Sequence, residues 1–169
     1  LFIMADQPVR FHYSVVIIIM GTLVVFGALG LARFAYGLLL PPMQEGLAMD
    51  NTQAGILATA NLAGYLALSV IGGALASHFG PRAVITTGLV VTGASLVLTG
   101  LAHSFASAAV WCACAGIGSG ASTVPVMRLL AAWFAPRRRG MASGIVVTGS
   151  SLALILLGPA VPVLLKTLG

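Results

Sequence analysis

The sequence predicts an all-α integral membrane protein with five transmembrane helices. Of the 169 residues, 59% are hydrophobic and only 7% are charged, and the mean hydropathy is +1.09. An average soluble domain carries about 25% charged residues, so this chain has too few to cover a surface that faces water. A span needs about 20 apolar residues, which leaves room for roughly five or six spans joined by short loops.

The five helices are expected where long apolar runs lie between polar breaks. Each run exceeds the length of a helix buried in a soluble protein. The first run stops at Pro41-Pro42, which is expected to end the helix. The expected spans cover residues 14–40, 54–76, 83–102, 106–134 and 141–165, and together they form a single membrane domain over residues 1–169.

Composition and motifs also exclude classes of function. The net charge of +5 would indicate a nucleic-acid partner in a soluble chain, but here the few basic residues belong to a membrane protein. The sequence contains no H-E-x-x-H, no G-x-S-x-G and no cluster of metal ligands. We therefore expect no enzymatic activity, no cofactor, no metal and no nucleic-acid partner.

Charged residues are distributed unevenly between the two ends of the spans. Arg10, Arg82 and residues 137–139, which are all arginine, flank the spans on one side. The two opposite loops contain Glu45, Asp50 and a histidine but no lysine or arginine. Because cytoplasmic loops carry the excess of basic residues, the N-terminus is predicted to lie in the cytoplasm.

Glycine is abundant within the spans and predicts close packing between helices. The chain has 21 glycines, including the pairs Gly116-x-x-x-Gly120 and Gly140-x-x-x-Gly144. Small residues at this spacing let two helix backbones approach in a bilayer, where lipid tails provide no hydrophobic drive for association. The alternative is that these glycines reflect only the general frequency of glycine in membrane helices.

Arg33 is the sharpest candidate for a functional residue. It lies within the first span, about 9 Å from its midpoint at 1.5 Å per residue, where a charged group is costly unless it faces protein or water. Gly30, Tyr36 and Gly37 lie one helical turn away and should leave room beside it. Arg33 either binds an anion in a cavity or snorkels outward and caps carbonyls of a neighbouring helix.

A polar stripe on the second span supplies further candidates. Asn61, Tyr65 and Ser69 follow at i, i+4 and i+8, and they could contact a substrate or form hydrogen bonds between helices. Arg128 is expected to snorkel to the cytoplasm. No Asp or Glu lies inside any span, so this chain alone cannot build a carboxylate proton relay. Hydroxyl groups in the fourth and fifth spans, for which we favour a structural role, are Ser119, Ser122, Thr123, Thr148 and Ser151.

Three stretches together resemble the N-terminal half of the major facilitator superfamily. They are GALGLARFAYGLLLPPM at 27–43, GGALASHFGPRAV at 72–84 and WFAPRRRGMASGI at 133–145. The first is similar to a poorly characterised bacterial branch that carries Arg-Phe-x-Tyr…Leu-Pro on helix 1. The resemblance covers nearly the whole chain and implies the six-helix half of such a transporter without its last helix. It also implies that helices 1, 2, 4 and 5 line a central cavity.

The loop between the second and third spans resembles the gating-loop motif of that superfamily, roughly Gly-x-x-x-Asp-Arg-x-Gly-x-Arg. Gly73, Gly80 and Arg82 match it, whereas Ser77 occupies the acidic position and His78 the basic position after it. In the family, this loop latches the cytoplasmic side against the other half of the transporter. Because serine carries no charge, the latch is expected to be weakened or differently made.

The resemblance implies that this chain is the N-terminal part of a secondary transporter in a bacterial cytoplasmic (inner) membrane. Such a protein moves a small organic solute by alternating access, and Arg33 would favour an anion. The expected substrate-binding residues are Arg33, Tyr36, Asn61 and Tyr65. Expected partners are the lipid bilayer, the substrate, and the missing C-terminal half or another membrane protein bound through glycine-rich helix faces. The alternative function is an accessory or structural subunit, derived from a transporter half and docked on a larger membrane complex.

Overall fold

The structure, a computed structural model, describes residues 11–168 and forms helices joined by short links, with no strand in that range. Five of its helices are long and apolar enough to cross a membrane, which confirms the predicted fold class. The elements are α1 (Phe11–Val25), the π-helix π1 (Phe26–Ala35), α2 (Tyr36–Gly46), α3 (Asn51–Phe79), α4 (Pro81–Gly100), α5 (Phe105–Trp133) and α6 (Pro136–Leu168).

The first span is longer than predicted, because α1, π1 and α2 form one continuous helix over residues 11–46. The expectation that Pro41-Pro42 ends this helix is wrong, since both prolines lie inside α2. Membrane helices tolerate proline where neighbouring groups and local changes of helix type satisfy the freed carbonyls. A run of π-helix, in which hydrogen bonds span five residues instead of four, directly precedes α2 in the same helix.

A left-handed residue terminates the first span. Ala48 has a φ of 49°, and the N–H of Met49 donates to the carbonyl of Gln44 at 3.0 Å. This bond satisfies one of the carbonyls left free at the helix end, in the pattern that usually places glycine at the left-handed position. The next helix begins at once, because Asp50 caps the N-terminus of α3 and forms a capping box with Gln53.

Helix α5 is the central element, and glycines on two of its faces bring α3 and α4 close. A Cβ added at Gly116 would overlap the carbonyl oxygen of Asn61, and one added at Gly120 would lie 2.5 Å from the carbonyl oxygen of Tyr65, both on α3. A Cβ at Gly118 would lie 2.5 Å from the carbonyl oxygen of Gly88 on α4. Close packing is therefore confirmed at Gly116-x-x-x-Gly120, since only hydrogen at these positions permits such contacts.

The second predicted glycine pair does not pack within the described part of the chain. Gly140 and Gly144 of α6 are exposed, and no atom lies within 4 Å of a Cβ built at either position. No described helix therefore meets the prediction of close packing for this pair. Helix α6 uses other residues instead: an added Cβ at Gly149 would overlap the carbonyl oxygen of Thr22, which places the backbone of α6 directly against α1.

The spans alternate in direction, so the loops fall into two groups at opposite ends of the bundle. The basic end contains Arg82 at the start of α4 and residues 137–139 at the start of α6. The acidic end contains Glu45 in the last turn of α2, and Asp50 and His103 in the links before α3 and α5. The predicted separation of basic and acidic residues is thus present in the fold.

Candidate functional site

The first span and α3 meet at a pair of predicted site residues. The guanidinium carbon of Arg33, in π1, lies 5.4 Å from the centre of the Tyr65 ring on α3. A cation within about 6 Å of an aromatic face is attracted by the negative face of the ring. Arg33 is exposed and Tyr65 is half-buried. Among the described residues π1 and α3 do not pack closely along their lengths, so the long Arg33 side chain makes this contact.

The surroundings of Arg33 differ from those expected from a regular α-helix. A Cβ at Gly30 would overlap the Cβ of Ala153. Helix α6 therefore occupies the space next to Gly30, which was expected to be open beside Arg33. Among the described residues, Gly37 has no neighbour within 4 Å of an added Cβ and does leave space. The side chain of Tyr36 lies outside the described residues. The π-helix changes the residues that share a face, because its bonds span five residues.

Asn61 serves helix packing instead of lining an open site. It is buried, and its Nδ2 donates to the carbonyl of Cys112 on α5 at 3.0 Å. This is the hydrogen bond between helices that was the alternative interpretation of the polar stripe. One turn later, the carbonyl of Tyr65 lies against Gly120. Helix α5 therefore contacts the backbone of α3 both at Asn61 and at Tyr65.

Arg33 has the electrostatic properties of an anion-binding group. No Asp or Glu occurs in the apolar stretches of the spans, since Glu45 lies in the last turn of α2, and no described carboxylate forms an ion pair with Arg33. The ring of Tyr65 offers attraction but no full negative charge. A guanidinium carries five N–H donors in a planar fork that fits a carboxylate or phosphate.

The buried hydroxyl groups on α5 are engaged within the fold. Ser119 and Thr123 donate to carbonyls three or four residues earlier in α5 at 2.9 and 2.8 Å. Ser122 donates to the carbonyl of Gly118 at 2.9 Å and also reaches that of Ile85 on α4 at 3.3 Å. These bonds support the structural interpretation of the three residues.

The gating-loop motif lies at the basic end, where α3 turns into α4. Ser77 and His78 are exposed in the last turn of α3, and the Ser77 hydroxyl donates to the carbonyl of Ala74 at 2.7 Å. Gly80 alone links the two helices with a φ of 85°, which favours glycine. Arg82 follows in the first turn of α4 and is exposed. The serine at the acidic position is thus bound within its own helix.

Arg128 makes a contact that sequence reasoning missed. Its Nη1 donates to the carbonyl of Gly73, the first motif glycine, at 2.6 Å, so the exposed arginine, which was expected to snorkel to the cytoplasm, also binds α3. A Cβ at Gly73 would lie 3.0 Å from the same nitrogen. The missing side chain at Gly73 indicates room for a neighbouring group, but the sequence does not identify that group because Arg128 lies 55 residues further along the chain.

Comparison with known proteins identifies the family. Residues 16–169 match the profile of the Major Facilitator Superfamily, over most of the chain. The chain belongs to the major facilitator superfamily. Monocarboxylate transporter 11 from Mus musculus is 31% identical over 141 residues, which is 83% of this chain and 31% of that protein. Two uncharacterised MFS-type transporters from strains of Mycobacterium tuberculosis are each 32% identical over 82 residues, covering 48% of this chain and 18% of each relative.

The chain therefore spans about a third of the length of its mouse relative. The described part of this major facilitator chain is a multi-pass membrane protein, and its apolar helices contact the lipid bilayer. Within the described spans, Arg33 of the first span meets Tyr65 of α3, and Arg128 of α5 meets Gly73 of α3.

Proposed function

We propose that this chain is the N-terminal part of a secondary transporter that moves a small organic anion by alternating access. The observation that carries the proposal is the exposed guanidinium of Arg33 held 5.4 Å above the Tyr65 ring. Membership of the major facilitator superfamily supports transport of a solute across a membrane. An arginine inside a span, with an aromatic neighbour and no carboxylate partner in the described chain, favours a solute that carries a negative charge.

The name of the mouse relative supplies the first substrates to test. That protein is called a monocarboxylate transporter, and a monocarboxylate matches the bidentate fork of one arginine. In the proposed transporter, Arg33 binds the carboxylate and Tyr65 holds the guanidinium in place. Tyr36 and Gly37 follow in the next turn, where Gly37 leaves space for the substrate. The facing wall of the site comes from the C-terminal half of the transporter.

The proposal places the protein in a bacterial cytoplasmic membrane with the basic end in the cytoplasm. Support comes from the arginines of the basic end and from the excess of such residues in cytoplasmic loops. The mycobacterial relatives support a bacterial setting. We propose no enzymatic step for this chain.

Uptake by the full-length protein in liposomes tests the role of Arg33. Counterflow of labelled lactate or pyruvate is compared between the wild type, Arg33→Gln and Arg33→Lys. Arg33→Gln should reduce uptake by roughly 10- to 100-fold, because a hydrogen bond to a charged group contributes about 1.5–3 kcal/mol. Arg33→Lys should retain part of the wild-type uptake, since lysine keeps the positive charge but cannot form the bidentate hydrogen bonds of a guanidinium.

The matched control is Arg137→Gln, which removes an exposed arginine from the basic end outside the spans. It should leave uptake within about twofold, since an exposed charge far from the site contributes little. Unchanged uptake of a confirmed anionic substrate in Arg33→Gln would sink the proposed role of Arg33. Uptake of a neutral solute without competition from anions would contradict the proposed substrate class but would still support transport.

A second candidate function is an accessory subunit that docks on a larger membrane complex. One observation favours it: Gly140 and Gly144 leave an exposed small-residue surface at the start of α6, with no described neighbour. A photo-crosslinking amino acid at Met141, in the same turn, discriminates the two functions. An adduct within the same polypeptide supports the transporter, whereas an adduct to a different gene product supports the subunit.

A further inference from the structure

An apolar groove opens between α1, α4 and α5 at the basic end. Its volume is about 490 Å³. The walls come from Val16, Met20 and Val24 on α1, Ile85 on α4 and Leu129 on α5. From Val16 to Val24 the groove follows α1 for eight residues, or about 12 Å at 1.5 Å per residue. It is separate from the contact between Arg33 and Tyr65, whose residues do not line it.

The mouth of this groove has a different chemistry from its walls. Arg82, in the first turn of α4, and Trp133, the last residue of α5, both line it. Arg82 is exposed, and the first turn of α4 has no side-chain cap, so the positive end of the helix dipole faces the same mouth. Tryptophan is enriched at the depth of lipid headgroups, which places the mouth at the bilayer interface.

We propose that this groove binds an anionic phospholipid, with an acyl chain between α1, α4 and α5 and the phosphate on Arg82. The groove fits an acyl chain, because its lining is mostly apolar and extends along α1 from Val16 to Val24. An empty apolar groove would forfeit dispersion contacts that hydrocarbon restores, and water finds few partners there. The volume lies within the range of pockets that bind small molecules.

Charge favours an anionic headgroup over a zwitterionic one. A guanidinium binds phosphate oxygens in bidentate geometry, and the three arginines at 137–139 add positive charge at the same end of the bundle. The described acidic residues Glu45 and Asp50 lie at the opposite end and do not offset this charge. Basic pockets between membrane helices are a recognised setting for anionic lipid headgroups.

Native mass spectrometry of the full-length protein in mild detergent tests the proposal. The protein is titrated with phosphatidylglycerol or phosphatidylcholine of identical acyl chains, and the retained lipid is counted. We expect phosphatidylglycerol to be retained at least fivefold more than phosphatidylcholine. Arg82→Gln should abolish this preference, whereas Arg137→Gln, at the same end but outside the groove lining, should preserve it. Equal retention of both lipids by the wild type, or an unchanged preference in Arg82→Gln, would overturn the proposal.

A second measurement identifies the occupant without altering Arg82. A benzoylphenylalanine at Met20, within the groove wall, is photolysed in membranes that contain the full-length protein. A lipid adduct supports the proposal. A peptide adduct, from elsewhere in the same polypeptide or from a second copy, shows that a helix fills the groove and overturns it. Neither measurement depends on transport, so the proposed function can fail while the lipid site stands, and the reverse.

Discussion

At the scale of single residues, the Tyr65 ring is predicted to position Arg33 without binding the substrate itself. A cation over an aromatic face gains about 0.5–1 kcal/mol at exposed sites and about 2 kcal/mol when desolvated. Tyr65→Leu removes this attraction and should raise the KM for the transported anion about 2- to 20-fold, with a smaller change in kcat. Tyr65→Phe keeps the ring and should stay within about twofold of the wild type. Uptake kinetics in liposomes provide the measurement, and equal defects in the Phe and Leu variants would contradict the cation–π interpretation.

The cap at Ala48 gives a residue-scale prediction about stability. A non-glycine residue in the left-handed region, such as Ala48, costs roughly 1–2 kcal/mol of conformational energy. Replacing it by glycine lowers the stability by about 0.4–1 kcal/mol, because glycine has more freedom in the unfolded chain. Ala48→Gly should therefore raise the free energy of unfolding by roughly 0.5–1 kcal/mol. The control is Ala74→Gly, an exposed position inside α3, where glycine should lower it by about 0.5–1 kcal/mol. Thermal unfolding in detergent should show shifts of opposite sign, and a destabilised Ala48→Gly would argue against a strained cap.

At the scale of helices, the two glycine pairs predicted from one sequence pattern provide a matched test. Gly116→Ala places a methyl group against the carbonyl of Asn61 and forces α3 and α5 apart, which should cost roughly 1–3 kcal/mol of stability. Gly144→Ala adds the same group in open space and should be neutral or slightly stabilising, since alanine favours the helix. Unfolding in increasing denaturant separates the two variants. Equal stability of both would mean that α3 and α5 do not pack as closely as described.

At the scale of helices, the sequence predicted which small residues could pack closely but not which helix they contact. Spacing of small residues predicted close packing at Gly116 without naming α3 as the partner, and the same spacing at Gly140 carried no information about whether a partner helix is present. The π-helix that contains Arg33 was not predicted, because a change from four- to five-residue hydrogen bonds leaves the apolar character of a span unchanged. Asn61 and Tyr65 were found by their polarity, whereas only the position of α5 assigns Asn61 to packing and leaves Tyr65 beside Arg33.

At the scale of the whole molecule, the same packing device joins two pairs of helices. Helix α5 lies against α3 through Gly116 and Gly120, and the first span lies against α6 through Gly30 and Gly149. Each half of a major facilitator transporter is built from two inverted repeats of three helices, so the first span, α3 and α4 correspond to the first repeat and α5 and α6 to the second. Each glycine contact thus joins helices of different repeats. The five spans and their alternation followed from hydropathy and charge alone, because a bilayer allows few other solutions.

The orientation of this bundle is the last prediction, and it rests on the arrangement of charge over all five spans. Single cysteines are introduced at His103, in the link before α5, and at Arg138, in the first turn of α6, after both native cysteines are replaced by alanine. Because basic loops stay in the cytoplasm, a membrane-impermeant maleimide added to intact cells should label position 103 and reach position 138 only after permeabilisation. The two positions are exposed and lie at opposite ends, so each serves as the control for the other. The reverse pattern would place the basic end outside and would remove the cytoplasmic assignment of the gating loop with it.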